Sequence, residues 1–461
     1  MSYINHSDTS RRAFLRHAAQ FGIAGVAAPW AMNLASIGTA AAQTTLTDYK
    51  ALVCVFLYGG NDFANTVIPY DLSSHNAYTT LRAGIFTPRS ALANTILSPT
   101  TALANSQQFA FAPELSNLSS LFNSGKLAVQ LNVGPLIQPT TLQQFNNNAV
   151  PLPPKLFSHN DQQSLWQSSL PEGSTSGWGG RMGDLFMANN MQNVFSCISA
   201  TGTAVYLAGQ NAVQYQVGTN GAVAINGVKN ALYGSTAAQN ALRSLLSTTP
   251  SGGLENAYAT VAKRSIDAEV NLSAAMSAQP ALTTVFDSTN SLANQLKTVA
   301  RIIATRNTLG AKRQVFMVSL GGFDLHDNLL TQHPGLLTQI NNAMQSFYDA
   351  TVELGVANQV TTFTASDFGR TYASNGDGSD HGWGAHHLVM GGAVNGKAFY
   401  GTPPIIAASS SDSVGQGRLL PSTSVDQFAG TMASWMGVSN SNMATVLPNL
   451  SHFNTTNLGF V

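Results

Sequence analysis

The stretch QVFMVSLGGFDLHDN, Gln314 to Asn328, constrains this chain more than any other. Five of the six residues from Val315 to Leu320 are apolar; the run then breaks on Gly321-Gly322 and delivers Asp324, His326 and Asp327 within four positions. A run so short and so rich in β-formers, stopped by glycine, reads as a buried parallel strand. Open α/β sheets bind ligands just past the carboxyl ends of such strands, so chemistry is expected here. Ala51 to Tyr58 is a second apolar run, stopped by Gly59-Gly60 and followed by Asn61-Asp62. It reads as the first strand of the same sheet. The matching ends predict neighbouring strands that deliver Asp62 and Asp324 to one edge.

A chain of 461 residues has enough length for a substantial core, and large α/β folds commonly reach this size as one unit. Charged residues make up only 9% of it and the formal net charge is zero. A nucleic-acid binder would need a basic face, so that class of partner is set aside.

The amino terminus points to a compartment. Arg11-Arg12 followed by Phe14-Leu15, a moderately apolar stretch from Phe21 to Ala35, and Ala40-Ala41-Ala42 stand in the order of a bacterial twin-arginine export signal. Cleavage after Ala42 is expected, which makes residues 1–42 a signal peptide and the twin-arginine translocase a transient partner. Its removal takes away Arg11, Arg12, Arg16 and Asp8 and leaves the mature chain near neutral. No later apolar run reaches the roughly 18 residues needed to span a bilayer, so a periplasmic or secreted product with no membrane span is expected. The two cysteines, Cys54 and Cys197, are far apart in sequence and read as two buried thiols or as a disulfide.

Leu127 to Val133 reads as another strand, and Gln162 to Gln167 as a helix that Ser158 or Asn160 caps. Gly173 to Gly183 looks like a loop leading into a helix, and Val194 to Ala200 and Ala204 to Ala208 like strands. Ala238 to Leu309 has helical periodicity broken near Gln279-Pro280, giving two or three helices over the sheet. Gly335 to Leu354 reads as a helix, Val360 to Thr364 as a strand, Gly376 to Gly382 as a glycine-rich loop, His387 to Met390 as a short strand and Val425 to Met436 as a helix.

Of ten histidines, His326, His381, His386 and His387 fall close to Asp324, Asp327, Asp367, Asp377 and Asp380. Asp324 and His326 are two apart, so in an extended segment both side chains point the same way, as two ligands of one ion must. Asp380 and His381 are adjacent and point apart in a strand; a curved loop flanked by Gly376, Gly378 and Gly382 would bring both to one site. Carboxylates and imidazoles without cysteine favour zinc, manganese, magnesium or calcium. Asp62, Asp324, His326, Asp367, Asp380, His381, His386 and His387 offer ligands enough for two divalent ions. Paired ions can activate a nucleophile and stabilise charge on a phosphoryl- or sulfuryl-like centre. Taken singly, Asp62 also suits a turn, Asp367 a pair with Arg370, and His386-His387 one surface and one core position.

The set YGGNDFANTVIPYD (58–71), SHNDQQSLWQ (158–167), SLGGFDLHDN (319–328), ASDFGRTYASNGDGSDHGWGAHHLVMGG (365–392) and TSVDQFAGTMASWMGV (423–438), behind a twin-arginine signal, resembles the domain-of-unknown-function family numbered 1501 over nearly the whole mature chain. That family is grouped with the alkaline phosphatase and sulfatase superfamily. The resemblance implies an α/β three-layer sandwich with a mostly parallel central sheet, helices on both faces and a metal site at the strand ends, filling residues 43–461 as one domain. By the same resemblance, Asp62 is similar to the superfamily's first-strand aspartate, Asp324 with His326 to a ligand pair for one ion, Asp367 to a strand-end acidic ligand, and His381 with His386 or His387 to its later histidines. The chain departs from the superfamily in lacking the sulfatase Cys/Ser-x-Pro-x-Arg sequence and in spacing aspartate and histidine by two residues rather than four. Ser158, at an expected helix start, is the candidate nucleophile; Ser158, His159 and Arg370 are the catalytic candidates, with Arg370 or Arg181 as anion clamp. The implied function is hydrolysis of a small-molecule or polymer-borne phosphate or sulfate ester. The alternative is a secreted member without hydrolytic activity that binds or assembles cell-surface polymers or a co-exported partner.

Overall fold

The first apolar run forms a strand, β1 (Lys50–Leu57), and every residue after Lys50 is buried. Ala51, Val53, Val55 and Leu57 enter one apolar cluster, while Leu52, Cys54 and Phe56 enter another. Successive strand residues point to opposite faces, so two clusters mean that both faces of the sheet are covered. The computed structural model describes residues 46–248 and 252–461. The expected export segment lies outside the described residues, and Leu46–Val461 is one compact unit.

The main sheet continues with β2 (Leu127–Gly134), β3 (Cys197–Ser199), β4 (Tyr215–Gly218), β5 (Gly221–Ala222), β6 (Arg313–Leu320), β7 (Val360–Ser366), β8 (Ala385–Gly391), β9 (Phe399–Tyr400) and β10 (Thr423–Ser424). Across the sheet the order is β9-β2-β8-β7-β1-β6-β3-β4-β5, with β10 also paired to β2. β1 runs parallel to β6 and β7, with Leu57 opposite both Leu320 and Ser366. Three strands therefore end level. β8 runs antiparallel to β7 and β2, so its first residues lie at the edge where the parallel strands finish.

Eight helices bury their apolar sides on this sheet or beside it: α1 (Leu72–Leu81), α2 (Ser116–Asn123), α3 (His159–Ser168), α4 (Trp178–Phe186), α5 (Gly253–Ser277), α6 (Ser291–Ala304), α7 (Leu329–Glu353) and α8 (Val425–Met436). Residues of α2, α5, α6 and α7 complete the first cluster. Trp166 of α3, Trp178 and Met182 of α4, and Phe428 and Met432 of α8 complete the second. The architecture is the expected α/β three-layer sandwich with a mostly parallel sheet. Among the described residues, no helix is long and apolar enough to cross a membrane.

Two local expectations fail for physical reasons. Val205–Leu207 is a 3-10 turn rather than a strand. Its burial comes from α4, whose Gly179 and Gly180 let the helix press on Tyr206 and on the Ala208 backbone. The glycine-rich segment is the turn of a hairpin, Arg370–Ser374 against Ser379–His381, instead of an irregular loop. Cys54 and Cys197 are both free and buried, and burial pushes both thiols far up. The buried-thiol alternative holds.

Candidate metal centre

The level ends of β1, β6 and β7 and the start of β8 set out the site. Gly59, at φ +114°, turns the chain after β1 so closely that a Cβ there would lie 2.4 Å from the Asp324 backbone nitrogen. Gly378, at the hairpin turn, lets the hairpin touch the His326 backbone, where a Cβ would come within 2.2 Å. These contacts explain why glycine stands at both positions. They bring Asp324 and His326, after β6, against His381 at the end of the hairpin and His159 at the start of α3.

Three imidazoles surround the Asp324 carboxylate. His326 Nε2 lies 3.1 Å and His381 Nε2 3.2 Å from Asp324 Oδ1, while His159 Nε2 lies 3.4 Å from Oδ2. The His326 and His381 Nε2 atoms are themselves 2.9 Å apart. His159, Asp324 and His381 offer ligand atoms that all lie within 4.8 Å of one another.

The other nitrogen of each ring fixes its tautomer. His159 Nδ1 donates to Asp367 Oδ2 at 2.7 Å, His381 Nδ1 to the Phe157 carbonyl at 2.8 Å and His326 Nδ1 to Asp380 Oδ1 at 3.3 Å. A ligating histidine commonly spends its second N–H on such an oxygen. Wherever Nε2 carries no proton, a ring held this way presents a lone pair beside a carboxylate that also only accepts. A cation is the partner this arrangement fits, with imidazole nitrogen and carboxylate oxygen as its donors.

Local electrostatics follow from these contacts. The hydrogen bond to Asp367 raises His159 above the usual imidazole value, while burial lowers His381. Burial would raise Asp324, but the hydrogen bond and charge of Arg370 outweigh it and keep its carboxyl below the ordinary value. Arg370 Nη1 donates to Asp324 Oδ1 at 2.8 Å and to the Gly59 carbonyl at 3.0 Å. Its Nε and Nη2 donate to the Ser379 carbonyl. Arg370 is thus a buried brace for Asp324, with four of its five N–H donors committed. Arg181 is likewise committed, to the carbonyls of Val446, Ser176 and Ser168.

Several expected site residues are placed elsewhere. Asp62 does not join Asp324; its carboxylate is buried in an ion pair with Arg82, which also bonds Asn65 Oδ1 and the carbonyls of Thr371 and Tyr372. His386 and His387 are consecutive on β8 and point to opposite faces of the sheet. His386 packs on Phe63 and His387 on Trp166, both buried, and burial pushes both to about 3. Ser158 precedes α3 as expected, but its hydroxyl donates to Asp161 Oδ2 at 2.8 Å. Asp367 is fully buried and stands behind His159: its Oδ2 accepts from His159, from Gln163 Nε2 at 2.7 Å and from the Gly59 N–H at 3.2 Å. Asp380 and His381 both serve from a strand, because Asp380 reaches His326 on Nδ1 while His381 meets it on Nε2. Sequence reasoning missed Gln163, which sits one helical turn after His159, and the Phe157 carbonyl, which no side-chain pattern reveals.

Solved structures similar in shape include Ps i-CgsB in complex with k-i-k-neocarrahexaose, at 10% identity and TM-score 0.37, covering 90% of this chain and 76% of that one. The lipoteichoic acid synthase LtaP from Listeria monocytogenes is similar at 9% identity and TM-score 0.33, covering 85% of this chain and 73% of that one. Likeness of this degree leaves the chemistry to be argued from the site itself. No curated protein matches the sequence. The family model described as "Protein of unknown function (DUF1501)" matches residues 49–451, and the chain belongs to that family.

Proposed function

We propose that this protein is an exported, metal-dependent hydrolase of phosphate or sulfate esters. The observation that supports the reading most is the convergence of three histidine Nε2 atoms on Asp324, each ring oriented by an oxygen on its Nδ1. A divalent ion held there supplies Lewis acidity toward an ester oxygen and lowers the pKa of a water. Three imidazoles with one carboxylate suit zinc better than magnesium or calcium. Asp367, Asp380 and the Phe157 carbonyl hold the rings, and Arg370 keeps Asp324 ionised. The Ser158 hydroxyl proton is committed to Asp161, so the attack is assigned to water rather than to Ser158. The Arg11-Arg12 segment supports delivery by the twin-arginine translocase to the periplasm or beyond.

The committed Ser158 hydroxyl also favours a second reading, a secreted binding or assembly protein that holds an ion without hydrolysis. Elemental analysis of protein purified from the periplasm, with a panel of phosphate and sulfate esters before and after chelation, separates the two. The expected result is bound metal, turnover of at least one ester class and loss of both in Asp324→Asn. Unchanged metal content in Asp324→Asn would remove the assigned centre; bound metal without turnover of any ester would replace the first reading with the second.

A further inference from the structure

We propose that Arg418 is the oxyanion clamp of this site, its guanidinium fork receiving the tetrahedral phosphate or sulfate group of the substrate beside His381. The inference rests on the reading of the site as one for anionic esters. It starts from a survey of the arginines around the strand ends. Arg82, Arg181 and Arg370 are buried and committed to Asp62, to backbone carbonyls and to Asp324. Lys155, the exposed cation before α3, lies 3.7 Å from Asp161 and 3.5 Å from Glu172. Of these cations at the strand ends, among the described residues, Arg418 is the one that is both tethered and uncommitted.

Its tether is double. Nε donates to the His381 carbonyl at 2.8 Å, and the guanidinium lies over the Phe157 ring, 4.7 Å from its centroid. Phe157 is the residue whose carbonyl holds His381 Nδ1, so one guanidinium braces the same histidine from ring partner and backbone alike. Beyond Nε, a guanidinium has four more N–H donors, on Nη1 and Nη2. Among the described residues Arg418 makes no ion pair, and its hydrogen bond is the one from Nε. Asp380 is the carboxylate whose charge it feels.

The backbone around this arrangement takes positive φ at four positions. Gly415, Gln416 and Gly417, the three residues before Arg418, all have positive φ, at +104°, +55° and +69°. Phe157 has φ +72°, an outlier for an aromatic residue. At Gln416 and Phe157, which carry side chains, positive φ is strained, and strain of this kind clusters where a site needs its groups pre-placed. A half-buried arginine with no role has no need of such a turn. A planar, pre-placed fork with free donors matches two oxygens of a phosphate or sulfate group.

Full-length protein and its Arg418→Gln and Arg418→Lys variants test this by calorimetric titration with inorganic phosphate and, separately, with sulfate. Metal content and thermal midpoint are measured on the same samples. Arg418→Gln is expected to weaken binding of the preferred anion at least tenfold, with metal content unchanged, and Arg418→Lys to recover part of it. The anion bound more tightly by the parent protein identifies the ester class. Equal anion affinity in parent and Arg418→Gln, loss of the anion only together with the metal, or no anion bound by the parent would each overturn the assignment. Arg418-dependent anion binding without turnover of any ester would keep the clamp and discard the hydrolase reading, so the two can fail separately.

Discussion

His159, His326 and His381 stand at the carboxyl edge of the sheet, each giving Nδ1 to an oxygen and turning Nε2 to Asp324. His333, His386 and His387 lie inside the protein, each with one polar partner: Asn61 Oδ1 at 3.0 Å, the Asn132 N–H at 3.1 Å and Thr364 Oγ1 at 3.3 Å. Burial pushes these three to about 4, 3 and 3, which keeps them neutral. His381 and His386 are only five residues apart, yet the boundary between the groups passes between them. β8 begins at Ala385, so residues before it face the edge and residues within it face a core. The same division separates the carboxylates, with Asp324 open at the edge and Asp62 sealed against Arg82. Residue type is shared by the two regions; what differs is whether the fold leaves an unfilled acceptor at the surface or closes a neutral pair inside.

The largest effect is expected from breaking the closed region. Arg82→Met leaves the Asp62 carboxylate buried without a counter-charge, which costs about 3–5 kcal/mol. A chemical-denaturation midpoint far below that of the parent checks this, while the folded fraction keeps its metal. A change under 1 kcal/mol would mean that Asp62 is solvated and interchangeable with Asp324 after all.

Acidification sharpens the contrast next. His333, His386 and His387 have folded pKa values depressed below the unfolded value of about 6.5, so the unfolded chain takes up their protons first and stability falls as pH drops below that point. Asp426 opposes them: burial raises its carboxyl to about 6, so the folded state holds that proton longer and gains as pH falls from 6 toward 4. Three groups against one, at roughly 1.4 kcal/mol per pH unit each, leave a net loss of about 3 kcal/mol per unit between pH 6 and 4. Denaturation at pH 6, 5 and 4 reads the slope, and His386→Leu should flatten it by one group's share. A flat profile would place these histidines in contact with water.

What the sequence made legible follows from what governs each element. Ala51 to Tyr58 and Val315 to Leu320 are short β-former runs ended by glycine, and local pattern alone decides them; both strands and their parallel pairing appear as expected. Val425–Met436 matches residue for residue, because its capping box at Ser424 and the positive φ of Gly437 at its end are local too. The cluster at the strand ends was legible in Asp324, His326 and His381, which the structure brings together, but not in its limits. Nothing in the spacing of His386-His387 says that β8 runs antiparallel and takes both rings into cores. Nor does the glycine pair before Asp62 reveal Arg82, which sits twenty residues on and claims the carboxylate. Arg418 was invisible for the converse reason: its role comes from a turn of three left-handed residues and from a ring brought beside it by another segment.

Asp367 belongs to both regions, since it is buried like Asp62 yet serves the edge through His159. Asp367→Asn keeps the shape and can still turn an oxygen to His159, Gln163 and the Gly59 N–H, so the fold should survive with little change. What it removes is the charge that raises His159 and fixes its Nδ1 proton. Partners of this kind are worth 10- to 100-fold in metal affinity. Metal competition with a chromogenic chelator should therefore show a drop of that size in Asp367→Asn, with the thermal midpoint of the metal-free protein within about 1 °C of the parent, which is about 1 kcal/mol for a chain of this length. Gln163→Leu, which deletes one neutral-donor bond to the same oxygen, should fall in the same direction by a smaller factor. If Asp367→Asn instead destabilised the metal-free protein and left metal affinity alone, Asp367 would be grouped with Asp62, and His159 would be oriented by packing against Phe368, 4.8 Å between ring centroids, rather than by charge.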